Sequence, residues 1–143
     1  MTALSPAIRL EGNCSNFSAH LGLEVLEYSQ ARTIIALQIR PEHLNHAGNL
    51  HGGVIASIAD TAMSLCGTWH ADPDQRRLAV TLSLNLNYMA PAPAGSRVRM
   101  VARVRGGGKK IFMAACDLLN AEDELLASAD GVFKRNQLRL EIE

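Results

Sequence analysis

Residues 53 to about 70 contain Ala, Ile, Met, Leu and Val, no proline, and a single residue of fixed charge, Asp60. The stretch exceeds an ordinary strand several-fold and falls short of the roughly 20 uninterrupted apolar residues that cross a bilayer. Ser57, Thr61, Ser64 and Thr68 interrupt it as well. It therefore reads as one long core helix, and the rest of the chain has to cover it.

Period-two alternation accounts for most of that remainder. Ile35, Leu37 and Ile39 mark a half-buried strand over 33–40 that ends at Pro41, with 22–28 as its partner. After the turn around Pro73, the residues Val80, Leu82, Leu84, Leu86 and Tyr88 alternate with Thr81, Ser83, Asn85, Asn87 and Met89. Pro91 and Pro93 stop this strand, and Val98, Met100, Ala102 and Val104 begin the same pattern again against Arg97, Arg99, Val101, Arg103 and Arg105. Two more strands, 110–119 and 124–135, follow the Gly106-Gly107-Gly108 corner and the polar turn at 120–123. Two strands, one helix and four strands with hairpin-like links predict an α+β fold with a mostly antiparallel sheet. Such a sheet buries a lone helix only by curving around it, which leaves its outer face or its edge for subunit contacts.

With 143 residues and 48% hydrophobic composition, one core and hence one domain over 1–143 is expected. Fourteen basic residues balance fourteen acidic ones, so no overall field recruits nucleic acid or an anionic membrane. Cys14, Cys66 and Cys116 are far apart, odd in number and lack CxxC spacing, which fits a reducing cytoplasm. The first twenty residues show no signal-peptide core. His43, His46 and His51 lie on a loop with neither cysteine nor an HExxH arrangement, so no metal site is expected.

Chemistry concentrates around the helix. Gly53, Ser57, Asp60 and Ser64 share one helical face. They are either a solvated stripe or, since a solvated face usually carries several charges, a polar track enclosing one carboxylate. Enclosure would raise the pKa of Asp60 and suit it to base chemistry. His51-Gly52-Gly53 precedes the helix, where free N–H groups and the positive dipole end can bind an oxyanion. Alone, the tripeptide reads equally as a flexible turn.

Taken together, Asn45, then His51-Gly52-Gly53, then Asp60 resemble the signature of the phenylacetate-degradation (PaaI-like) branch of hotdog thioesterases. The likeness extends through Asn85-Leu86-Asn87-Tyr88-Met89-Ala90-Pro91 and covers roughly residues 20–135, leaving 1–19 outside. The resemblance implies a curved antiparallel sheet wrapped around the helix and an acyl-CoA thioesterase that releases a carboxylic acid and free coenzyme A without metal or redox cofactor. By the same resemblance, Asp60 acts as nucleophile or general base, the Gly52 N–H polarises the thioester carbonyl, and Asn45 orients the reacting groups. His51 shapes the pocket, and Thr81 either positions water or simply faces polar surroundings.

Coenzyme A carries phosphates. Lys109, Lys110, Lys134 and Arg135 are therefore candidate contacts beside Gly53, or else a solvated hairpin end. A homodimer or dimer of dimers with sites between subunits is implied. A noncatalytic acyl-CoA-binding regulator and a hydroxyacyl-CoA dehydratase are the rival readings.

Overall fold

The computed structural model describes residues 8–9 and 16–140; positions 1–7, 10–15 and 141–143, Cys14 among them, lie outside the described residues. In chain order the elements are β1 (Ile8–Arg9), α1 (Asn16–Leu21), β2 (Glu24–Tyr28), β3 (Thr33–Gln38), α2 (Gly52–Cys66), β4 (Arg77–Tyr88), β5 (Arg97–Gly107), β6 (Ile111–Leu119) and β7 (Leu125–Arg139). All pairings are antiparallel, and the strands lie in the order β1-β2-β3-β5-β6-β7-β4.

α2 touches β3, β4, β5, β6 and β7. A helix about 10 Å across can reach five strands spaced about 4.8 Å apart only if the sheet bends around it. Small residues make the bend possible: Ala102, Ala114, Ala127 and Ala129 line the inner face, and Ala59 and Ala62 of the helix are fully buried against them. Phe112 and Phe133 close the core at the far end, their rings stacked 5.4 Å apart.

The helix ends at Cys66, short of position 70, because Gly67 is its C-cap. There the Phe112 ring fills the space that a side chain at 67 would need. β3 is buried along both faces from Thr33 to Leu37, more completely than a half-buried strand.

β4 departs further from its pattern. It is an edge strand, and it carries a bulge between Thr81 and Ser83. Thr81 pairs with buried Phe133, while Ser83 pairs with Val132 and Asn85 with Asp130. The extra residue shifts the alternation by one, so Thr81 shares the inner face with Leu84, Leu86 and Tyr88 instead of the outer face with Asn85 and Asn87. Val80 and Leu82 are left exposed by the same shift.

Candidate active site

The start of α2 is built by a loop that folds back on itself. Asn45 Oδ1 accepts the N–H groups of Ala47 (3.0 Å) and Asn49 (3.1 Å), an Asx-type turn that closes the loop. Leu50 N–H donates to the Ala92 carbonyl and His51 N–H to the His43 carbonyl, both at 2.8 Å. His43 is buried, and its ring takes the Arg40 N–H on Nδ1 and contacts the Leu21 carbonyl through Nε2. The ring of His43 is thus a structural brace.

His51 is the N-cap, with extended backbone, and its Nδ1 accepts the Gly53 N–H at 2.8 Å. Val54 and Ile55 N–H both donate to the His51 carbonyl. The Gly52 N–H has no hydrogen-bond partner among the described residues. Of the donors that a helix leaves open at its first turn, this one remains free beside the positive end of the dipole.

Asn45, Asn49, Leu50, Gly52, Ile55 and Tyr88 line a groove of about 390 Å³ at this terminus. Asn45 and His51 also border an adjoining hollow of about 450 Å³. The structure therefore brings Asn45, His51 and Gly52 together, with the amide oxygen of Asn45 turned into its own loop. Gly53 is exposed beside them.

Asp60 stands farther along the helix. Its Oδ1 accepts a hydrogen bond from Thr81 Oγ1 at 2.5 Å, which the β4 bulge makes possible. Within this chain Asp60 is half-buried, so the expected enclosure is not met by one chain alone. Neighbouring hydroxyls are engaged locally, Ser57 with the Gly53 carbonyl and Thr61 with the Ser57 carbonyl. Eight residues of helix separate Asp60 from Gly52, about 12 Å along the axis. One thioester carbonyl cannot sit against both in the same chain.

The basic candidates gather at the other end of α2. Lys110 and Arg135 are joined by a backbone hydrogen bond of 2.7 Å, Lys134 lies opposite Ile111, and Lys109 and Lys110 are exposed on the β5–β6 turn. Arg135 is already engaged: Nε donates to the Gly67 carbonyl (2.6 Å), NH1 to the Gly108 carbonyl (2.7 Å), and the guanidinium lies 4.5 Å from the Phe112 ring centre. Burial lowers its pKa from the usual arginine value. Within one chain this cluster sits about 22 Å from Gly52 along the helix.

Tyr88 is the residue that sequence reasoning passes over. Its place in the alternation marks it as one more apolar side chain, yet its hydroxyl donates to the Gly52 carbonyl at 3.0 Å. The only signal was its position inside the matched segment 85–91. Among the described residues, no three His, Cys, Asp or Glu side chains are grouped so as to hold a metal ion. None of the described helices is long and apolar enough to cross a membrane.

Comparison with known proteins adds independent information. Residues 47–127 match the family described as the thioesterase superfamily. A putative esterase of Pseudomonas aeruginosa is 32% identical over 105 residues, which is 73% of this chain and 76% of its own length. Human acyl-coenzyme A thioesterase 13 is 30% identical over 129 residues, 87% of this chain and 89% of its own. The solved structure of the Escherichia coli PaaI protein, from the phenylacetic acid degradation operon, has a TM-score of 0.77 at 22% identity. It covers 90% of this chain and 87% of that one, a likeness of fold.

Proposed function

The chain belongs to the thioesterase superfamily and has its hotdog fold, and on that premise we propose that it hydrolyses an acyl-CoA thioester to a carboxylic acid and free coenzyme A. The observation that carries this reading is the pairing of a carboxylate held by a hydroxyl, Asp60 with Thr81, and an unengaged helix-terminal donor, the Gly52 N–H.

Water adds across the acyl carbon–sulfur bond: its oxygen goes to the acyl carbon, the bond to sulfur breaks, and a proton ends on the departing thiolate. Gly52 N–H stabilises the charge that develops on the carbonyl oxygen. Asp60 either attacks the carbonyl itself or takes the proton from water. Asn45, which lines the groove beside Gly52, orients the reacting groups, and His51 shapes the pocket from the adjoining hollow. Thiolates leave readily, so a carboxylate and an oxyanion donor suffice, and the chemistry calls for no metal or redox cofactor.

The 12 Å between Asp60 and Gly52 on one helix supports a site shared by two chains, Asp60 from one and His51, Gly52 and Asn45 from the other. The exposed edge of β4, with Val80 47% and Leu82 54% exposed, supplies a surface for such a dimer. A dimer of dimers is the proposed assembly. Lys109, Lys110 and Lys134 are the proposed contacts to coenzyme A phosphates, with Arg135 bracing the turn that presents them. Buried free thiols at Cys66 and Cys116 suit the reducing cytoplasm proposed as its location.

A thiol-release screen across aryl, phenylacetyl-type and medium-chain acyl-CoA esters tests the reading, with enoyl-CoA hydration as control. Thiol release that vanishes in Asp60→Asn supports it. No release from any thioester points to a binding regulator, and hydration without release points to a dehydratase; either overturns the proposal.

A further inference from the structure

The site contains a hydrogen-bond chain that the proposed reaction does not by itself require. Tyr88 Oη donates to the Gly52 carbonyl at 3.0 Å. The nitrogen of that same peptide group, Gly53 N–H, donates to His51 Nδ1 at 2.8 Å. A peptide that accepts at one end and donates at the other is polarised along the chain, so the two bonds strengthen each other. As the first residue of α2, Gly52 already has its carbonyl in the helix ladder, and backbone satisfaction does not call for Tyr88.

The fit between the two residues is close. A Cβ at position 52 would lie 3.3 Å from Tyr88 Cε1 and 3.4 Å from Oη, so the tyrosine reaches the helix terminus because residue 52 has no side chain. Tyr88 is itself well anchored. It pairs with Ala127 at the end of β4, and Met89 and Ala90 N–H both donate to the Leu126 carbonyl. Despite this it is 55% exposed, a tyrosine on the rim of the groove and not a core residue.

At the other end of the chain, an Nδ1 that accepts a backbone N–H cannot carry a proton. In the neutral ring this hydrogen bond selects the tautomer with its N–H on Nε2, a donor. We infer that Tyr88 is a positioning residue for this reaction: through the Gly52–Gly53 peptide it aligns the helix terminus that presents the Gly52 N–H and holds His51 in the Nε2–H form. This inference rests on the reading of Gly52 as the oxyanion donor.

Tyr88→Phe tests it, since the ring stays and only the hydroxyl goes. With the acyl-CoA that releases thiol fastest, kcat falls about fivefold or more while KM stays within about twofold, as losing a neutral hydrogen bond that acts on the transition state predicts. In ¹⁵N spectra of the imidazoles, the His51 pattern moves from a single Nε2–H tautomer in the parent to a mixture in Tyr88→Phe. A kcat within about twofold of the parent, or an unchanged His51 pattern, overturns the assignment. Failure of the parent reading looks different: the unaltered protein then releases no thiol at all, and the imidazole spectra alone decide the role of Tyr88.

Discussion

Among the described residues Asp60 accepts one side-chain hydrogen bond, from Thr81, and a hydroxyl has a single proton to give. Spent on the carboxylate, that proton orients Asp60, and Thr81 can meet water only as an acceptor. Thr81→Ser keeps the donor and should retain most activity. Thr81→Val removes it and should lower kcat about tenfold or more, the scale of a hydrogen bond to a charged group. Asp60→Asn can act neither as base nor as nucleophile, so thiol release should fall at least about 100-fold with the circular dichroism spectrum unchanged.

The buried thiols give a prediction of another kind. Loss of hydration pushes Cys66 and Cys116 up to about 12, with Arg135 opposing the shift at Cys66 and Asp117 adding to it at Cys116. At pH 8 each is then thiolate only on the order of one part in 10⁴. In a Cys14→Ser chain, a disulfide reagent such as DTNB should leave both untouched in the native protein and label both after denaturation. Rapid native labelling would contradict the burial.

Among the elements, the two ends of α2 do different work. At its start, His51 has the extended backbone that a following proline demands, and residue 52 is the first helical position, where proline is tolerated. Gly52→Pro is therefore compatible with the fold, although the Tyr88 ring must yield by a few tenths of an ångström. It deletes the free N–H, and turnover should drop about 10²–10³-fold. Near-normal turnover in the folded variant would exclude that donor.

At the helix end, a Cβ on Gly67 would lie 2.1 Å from two atoms of Phe112. The ring cannot easily move, being stacked on Phe133 and covered by the Arg135 guanidinium. Gly67→Ala should cost about 1–3 kcal/mol by overpacking. Thermal unfolding should register this as a fall in Tm of about 3–10 °C.

For the whole molecule, the decisive length is that of the helix between Gly52 and Asp60. If sites are shared across a twofold axis, mixing inactive Asp60→Asn chains with inactive Asn45→Ala chains yields mixed dimers with one doubly damaged site and one intact site. Random exchange makes about half the dimers mixed, so roughly a quarter of parental activity returns. Mass-tagged chains establish that exchange is complete. Activity that then stays at the level of the two inactive variants would show that each site lies within one chain.

How much of this was legible beforehand differs by kind of feature. Hydrophobic periodicity is local, and it sufficed for the α+β class, the core helix and the six principal strands, each within a few residues of its observed bounds. The spacing of Asn45, His51-Gly52-Gly53 and Asp60 was legible as a candidate site because the loop, the cap and the helix that carry them are consecutive in the chain. β1 and α1 carried no comparable signal in the short N-terminal segment.

What the sequence could not reveal depends on pairing between distant segments. The β4 bulge turns Thr81 toward Asp60 because Phe133, fifty-two positions away, sets the register. Arg135 leaves the basic group to clamp Gly67 because the end of β7 folds over the end of α2. Tyr88 reaches the start of α2 because the last residue of an edge strand meets helical position 52, where a glycine leaves room for its ring. In each case the side chain's role is fixed by what the other strand or helix places opposite it, which only the folded chain specifies.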